Sequence, residues 1–364
     1  MTAPREIAAR MLPVIVVVAV LAILVAIVGA TGTRLLQHSL VEMLIMAVLV
    51  VGLYVFVGNT GITSFGHAAF VCIGAYAAAW FTLPLPLKTL NMPGLPTVLH
   101  NYNLPVPLSV VMAGGIAGLV ALVVGPALLR LAGIAASIAT LALYMIVVIS
   151  YSNWDAVTLG TSSIVGLPRY ADAWTVLAWL AAAAIAARLF ETSKIGLQAR
   201  AARDDEVAAR SIGIDVLGGR LASWVLSAFV LGCGGALYAH FLGTISVDAF
   251  SLGMTFVTLA MLVVGGSRSL IGAVTGAVMI SLVVELLRQL ERGVDLPFAT
   301  ISLPPGSQEL GIALVMLCML LLRPRGILPV RITNLGLARP RPAQRNHAMN
   351  PAGAKTVFSQ EERA

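Results

Sequence analysis

Apolar runs long enough to cross a bilayer recur from one end of the chain to the other, and no other feature restricts its fold as strongly. Ten of them lie near 14–30, 40–58, 65–83, 108–129, 133–150, 174–190, 221–243, 247–266, 270–288 and 309–322. A helix that crosses alone needs about 20 residues, within a range of about 17–25. The run at 309–322 is short, and the one at 65–83 is rich in Gly and Ala. Charged residues are only 11% of the 364, where a soluble domain carries roughly 25%. So few charges cannot cover a water-soluble surface of this size. The expected fold is therefore an all-α polytopic membrane protein with about ten transmembrane helices. Val14–Ala30 reads as a retained first span, because no small-residue cleavage site follows it.

Basic residues set the orientation, since Lys and Arg accumulate in cytoplasmic loops. With both termini cytoplasmic, 18 of the 23 Lys and Arg fall inside, six of them between Arg188 and Arg220 and eight from Arg323 onward. Arg34, Lys88, Arg169, Arg288 and Arg292 stay outside. Residues 1–330 form the expected membrane domain, with a cytoplasmic loop at about 191–220 between spans six and seven. Residues 331–364, rich in Pro, Arg and Ala, read as a disordered cytoplasmic tail. The outer loop Leu83–Pro107 holds six prolines and reads as an irregular, partly extended cap. The net charge of +7 follows this loop distribution, so no nucleic-acid partner is expected. Cys72, Cys233 and Cys318 each sit in an apolar run, an odd set that suits packing rather than a disulfide framework or a metal site.

The cytoplasmic loop carries the most information. On one continuous helix, Leu197, Ala201, Ala208 and Ile212 share a narrow stripe, with Arg200, Arg203, Asp204, Glu206 and Arg210 opposite. Glu206 and Arg210 have the favourable i,i+4 order, and Gly213 stands where a residue of positive φ ends a helix. Small residues on that stripe suit docking into a protein groove better than lying on a membrane, which wants Trp, Phe or Leu. A plain solvated loop helix fits the periodicity as well.

Here the chain resembles a family. Glu206, Ala208, Ala209 and Gly213 look like the "EAA" signature of permease subunits of ATP-binding-cassette importers. GNTGITSFGHAAFVCIGAYAAA (58–79), ALYAHFLGTISVDAFSL (236–252), VVGGSRSLIGAVTGA (263–277) and LLLRPRGILP (320–329) resemble the branched-chain amino-acid permease family of LivM type. The likeness spans roughly 40–330. It departs at Thr158–Pro168, where Leu159 and Ser163 do not fit, and this leaves the cargo open. The resemblance implies a multi-pass bacterial inner-membrane permease for branched-chain or related amino acids, docked through Arg203, Glu206, Ala208, Ala209 and Gly213. It also implies two ATP-binding subunits, a second related permease and an extracytoplasmic substrate-binding protein.

The chain itself should bind no cofactor. Its lysines, Lys88, Lys194 and Lys355, do not follow the glycine pattern of a phosphate loop, so the ATP is used by the partner subunits. No catalytic or metal-ligating constellation is read, and an enzyme is not expected. Polar residues inside spans are candidates for the translocation path because lipid penalises them: Asn59, Thr60, Ser64, His67 and His240. Asn59, Thr60, Gly61 and Gly66 mark a point where a span could unwind and line a polar cavity, or simply turn. Glu285 and Arg288 have i,i+3 spacing at the outer boundary. The same machine carrying urea, short amides or another small polar solute is the alternative. An ion-coupled secondary transporter is a further one, and it would want paired intramembrane carboxylates.

Overall fold

The computed structural model describes residues 4–131, 133–292, 294–296, 299–301, 304, 306–322 and 326–327. The expected tail at 331–364 lies outside the described residues. The helices in chain order are α1 (Pro4–Thr31), α2 (Arg34–Thr60), α3 (His67–Thr82), α4 (Leu85–Asn91), α5 (Thr97–Asn101), α6 (Val106–Leu128), α7 (Ile134–Ser152) and α8 (Asp155–Thr158). They continue with α9 (Ala173–Thr192), α10 (Lys194–Asp204), α11 (Glu206–Ser211), α12 (Val216–Leu242), a 3-10 turn at Val247–Phe250, α13 (Leu252–Gly265), α14 (Leu270–Arg292) and α15 (Ser307–Leu322). Two small antiparallel ribbons interrupt the helical pattern. In one, β1 (Ile164–Val165) pairs with β2 (Thr244–Ile245); in the other, β3 (Val294–Leu296) pairs with β4 (Ala299–Ile301).

Among the described residues, eight helices are long and apolar enough to cross a membrane: α1 from Met11 onward, α2, α6, α7, α9, α12, α13 with its 3-10 turn, and α14. The remaining two expected runs became α3 and α15, of 16 residues each. At 1.5 Å per residue they reach about 24 Å, short of a hydrocarbon core of about 30 Å. α1 turns Val20, Ile23 and Ile27 outward, each more than half exposed, which is tolerable only against lipid.

At the centre stands α12, packed against α2, α3 and α6. Glycines decide how closely. A Cβ on Gly74 of α3 would meet the backbone of Gly232, and one on Gly235 would meet the carbonyl of Val71. Gly114 of α6 also touches this node, because a Cβ on Gly232 would meet the Cα of Gly114. Lipid offers no hydrophobic drive between helices, so contact of this closeness supplies the attraction instead. Ser227 adds a bond from its hydroxyl to the Gly52 carbonyl at 2.7 Å. Cys72 and Cys233 are buried in this packing, whereas Cys318 is exposed.

Loop contacts gather at two opposite ends of the bundle. At one end the Gly94 amide donates to Ala156 (2.9 Å), the Gly166 amide to Gly243 (3.2 Å), and β1 meets β2. The proline-rich segment there is more ordered than the sequence suggests. Pro84 and Pro96 precede α4 and α5, since a fixed φ suits a helix start. Lys88, fully buried, donates from Nζ to the carbonyls of Leu99 (2.9 Å) and Tyr102 (3.0 Å), closing the cap. At the other end lie Gly61, Gly133, α10, α11 and Gly266. The glycine node predicts that Gly235→Val costs about 1–3 kcal/mol through overpacking. Thermal unfolding in detergent should show it, with Gly115→Val, whose Cβ meets nothing within 4 Å, unchanged.

Candidate functional site

The segment between α9 and α12 is built from four caps. The Ser193 hydroxyl accepts from the Gly196 amide (3.1 Å) and starts α10. Asp205, extended at φ −154°, interrupts the helix, and its carboxylate accepts from the Ala208 amide (2.9 Å) to start α11. Gly213 at φ +82° ends α11, with the Ile214 amide donating back to Ala209 (3.0 Å). Asp215 then caps α12 through the Gly218 amide (3.0 Å). The continuous helix expected over 197–213 is thus two helices. Asp205 prefers to cap rather than continue, and the turn it makes re-aims the faces. The expected stripe does not survive this. Leu197 is 54% and Ile212 76% exposed, and Ala201 and Ala208 are exposed too. The buried residues are Gly196, Ala199 and Ala202 of α10 and Ala209 of α11, the last two packed with Val216.

Charge pins this segment to the bundle. Glu206 binds Arg210 at 2.7 Å, as the spacing predicts, and also Arg220 at the start of α12 at 2.6 Å. The Arg210 bond, with the Arg220 bond behind it, holds the Glu206 carboxyl below its usual range against an opposing desolvation. A depressed carboxyl pKa contributes stability above the unfolded value, about 4.3, and loses it as pH falls through the lower folded value. Glu206 is therefore charged throughout the neutral range. Arg203 donates to the Gly58 carbonyl near the end of α2 and pairs with Asp204 at 3.2 Å. Earlier in the segment, Glu191 is held by Arg188 (2.9 Å) and Arg200 (3.3 Å). Local periodicity gives no sign of Arg220, 14 residues from Glu206, or of the Gly58 contact, 145 residues from Arg203.

Through Arg203 the segment reaches a discontinuity. α2 runs through Asn59 and Thr60, which are helical and not part of the break; the helix ends at Gly61, φ +73°, and residues 61–66 are non-helical. Asn59 Nδ2 donates to Val55 (2.8 Å) and Thr60 Oγ1 to Phe56 (2.8 Å). Gly61 has no room for a Cβ beside the Arg203 side chain. The Phe65 amide donates to Thr140 Oγ1 of α7 (3.1 Å). His67 opens α3 with Nδ1 3.1 Å from the Ser64 carbonyl and Nε2 2.6 Å from Thr258 Oγ1 of α13. A carbonyl only accepts, so Nδ1 carries the proton in the Ser64 contact. Thr60, Gly61, Gly133, Ser137, Arg203 and Glu206 line a cleft of about 400 Å³ at this end.

His240 lies at the opposite end, Nδ1 2.9 Å from the Pro168 carbonyl. Asn59, Ser64, His67 and His240 are buried. The structure does not bring the five polar candidates into one chamber. A separate cavity of about 740 Å³ lies between α2, α12, α13, α14 and α15, and it contains none of them. Its rim holds an ion cluster. Arg288 pairs first with Glu42 of α2, at 3.0 Å, and only more distantly with Glu285, at 3.7 Å, so the local pair read from spacing is the weaker one. No group of three or more His, Cys, Asp or Glu suited to a metal occurs among the described residues.

The chain is 26% identical over 328 residues to the high-affinity branched-chain amino acid transport system permease protein LivM of Salmonella typhimurium (strain LT2), covering 81% of this chain and 70% of that one. The protein of the same name from Escherichia coli (strain K12) gives the same identity and coverage. No solved structure matches. The profile of one family, described as branched-chain amino acid transport system / permease component, matches residues 35–322, and the chain belongs to that family.

Proposed function

We propose that the chain is the membrane-spanning subunit of an ATP-driven importer in a bacterial inner membrane, crossing ten times with both termini and the α10–α11 segment in the cytoplasm. The segment that carries Arg203, Glu206, Ala208, Ala209 and Gly213 docks a separate pair of ATP-binding subunits. A second related permease completes the path, an external binding protein delivers the solute, and the cargo is a branched-chain or related amino acid, as the names of the relatives suggest. The chain contributes no catalysis and binds no cofactor; ATP is consumed by its partners.

One observation carries this reading. The segment is fastened to its own bundle on one side, through Arg203 to Gly58, Glu206 to Arg220, and buried Ala209. It leaves Val207, 80% exposed, and Ile212, 76% exposed, facing outward, and Ile134, 79% exposed, lines the cleft next to Glu206. Large apolar side chains held outward on a rigid, charge-pinned turn suit a protein partner. A partner that moves α11 pulls on Arg203 and Glu206 together. The first leads to the end of α2 and the break at 61–66, and the second to α12. Ser64 in that break, with Asn59 and Thr60 just before it and His67 just after it, is where the movement enters the inner side of the path. Two arrangements of this kind must lie close in energy for a partner to switch them.

Val207→Asp changes a side chain that touches little of its own chain. It should leave insertion and thermal stability intact yet strip the ATP-binding subunits from the purified assembly. Glu206→Arg, opposing Arg210 and Arg220, should cut ATP-dependent uptake at least about tenfold while ATP hydrolysis persists. Normal uptake in both variants would remove the docking assignment. Ser211→Cys, at an exposed position of α11 in a Cys318→Ser chain, should react with impermeant thiol reagents from the cytoplasmic side alone. Labelling from outside would reverse the orientation.

A further inference from the structure

The 740 Å³ cavity combines features that the docking segment does not need. Its walls are largely apolar and include five methionines, Met43, Met46, Met254, Met261 and Met316. Methionine is unbranched and polarizable, so such a wall adapts to apolar bodies of differing shape. Polar groups converge at its rim. Arg288 reaches Glu42 with two nitrogens (3.0 and 3.4 Å). Glu285 accepts from Ser39 of α2 (2.8 Å) and from Gln289 (3.0 Å). Ser281 adds a hydroxyl with no hydrogen-bond partner among the described residues.

Two carboxylates against one guanidinium leave the cluster one negative charge in excess. Glu42 takes the shorter, two-nitrogen pairing with Arg288, so Glu285 is the less compensated carboxylate. A guanidinium has five N–H donors, and the contacts to Glu42 do not exhaust them. The rim therefore offers an acceptor for a cation and spare donors for an anion, beside an adaptable apolar chamber within the usual size of small-molecule sites, about 300–1,000 Å³. A sugar or urea would leave the charges unused. A bare cation would not use the apolar walls and would face Arg288.

We propose that this cavity is a binding station for an amino acid with an apolar side chain in transit. Glu285 with Ser39 receives the ammonium, Arg288 receives the carboxylate, and the methionine walls hold the side chain. The proposal rests on the importer reading and adds the station and its residues. Because the cluster joins α2 to α14, an arriving zwitterion exchanges protein–protein ion pairs for protein–solute pairs, so occupancy loosens the rim and empty closure restores it.

The test uses the full assembly with its partner subunits, reconstituted in liposomes, and L-leucine as the probe. Val257→Cys places a thiol on the cavity wall in a Cys318→Ser chain, whose remaining cysteines are buried. Millimolar L-leucine should slow its labelling by a methanethiosulfonate about tenfold, equivalent to about 1.4 kcal/mol. Isovalerate, with only the carboxylate, and isoamylamine, with only the ammonium, should each protect far less. Adding Arg288→Gln or Glu285→Gln should abolish the protection by leucine. Separately, Met261→Trp should fill the chamber and stop leucine uptake in an assembly that still forms. Labelling indifferent to leucine, or full uptake by Met261→Trp, in an assembly that imports leucine with ATP would overturn the station and leave the importer reading standing. An assembly that imports no amino acid would overturn that reading and the cargo of the cavity together.

Discussion

In lipid, apolar side chains gain little by leaving their solvent, so the helices of this protein must be held by how nearly their backbones approach. α12 supplies that approach. Gly232 and Gly235 bring it against α3 at Gly74 and Val71, and Gly114 brings α6 to the same node. Every other arrangement is referred to this centre. α2 is tied to it by Ser227, α10 and α11 are capped onto its start through Glu206 and Arg220, and β2 extends from its far end.

Rigid packing at the centre gives the flanking discontinuities their meaning. α3 is short, and two backbone groups of the non-helical stretch before it have specific partners: Thr140 for the Phe65 amide, and the His67 ring for the Ser64 carbonyl. Buried backbone that leaves a helix must find partners elsewhere in the protein. The break is therefore a defined joint, and Arg203 connects it to the exposed α10–α11 segment. On the opposite side of α2, the Glu42–Arg288–Glu285 cluster is a second contact between α2 and α14, of ionic character and open to a cavity. α2 thus meets the α10–α11 segment at one end and a charged cluster toward the other.

What reading the sequence missed follows from distance and from small competing preferences. Glu206 with Arg210 was legible because i,i+4 neighbours must meet on a helix. Arg220 was not, because its approach depends on Gly213 reversing the chain. The single amphipathic helix failed at Asp205. Its carboxylate has a stronger use as a cap for Ala208 than as a helical surface residue, and this turns Ala209 inward and Ala208 outward. Glu285 and Arg288 are neighbours in sequence, yet Arg288 finds Glu42 nearer, 246 residues away. Such a partner depends on the crossing of α2 and α14, which no local pattern encodes.

By itself the sequence determined the material of the fold: ten apolar runs, a basic loop between the sixth and seventh, a terminator at Gly213 and a break or turn near Gly61. These follow from the length of the bilayer, the cost of charge inside it and the freedom of glycine at positive φ. The tertiary structure alone decided which glycines touch, which of Ala208 and Ala209 is buried, and where charge and cavity coincide. His67 and His240, polar and conspicuous in the sequence, are buried against partner carbonyls, while the chamber with ionic groups is assembled from separate helices. Periodicity reports the environment of a single helix. A cavity belongs to the gap between several helices, and its contents are fixed only when their crossings are.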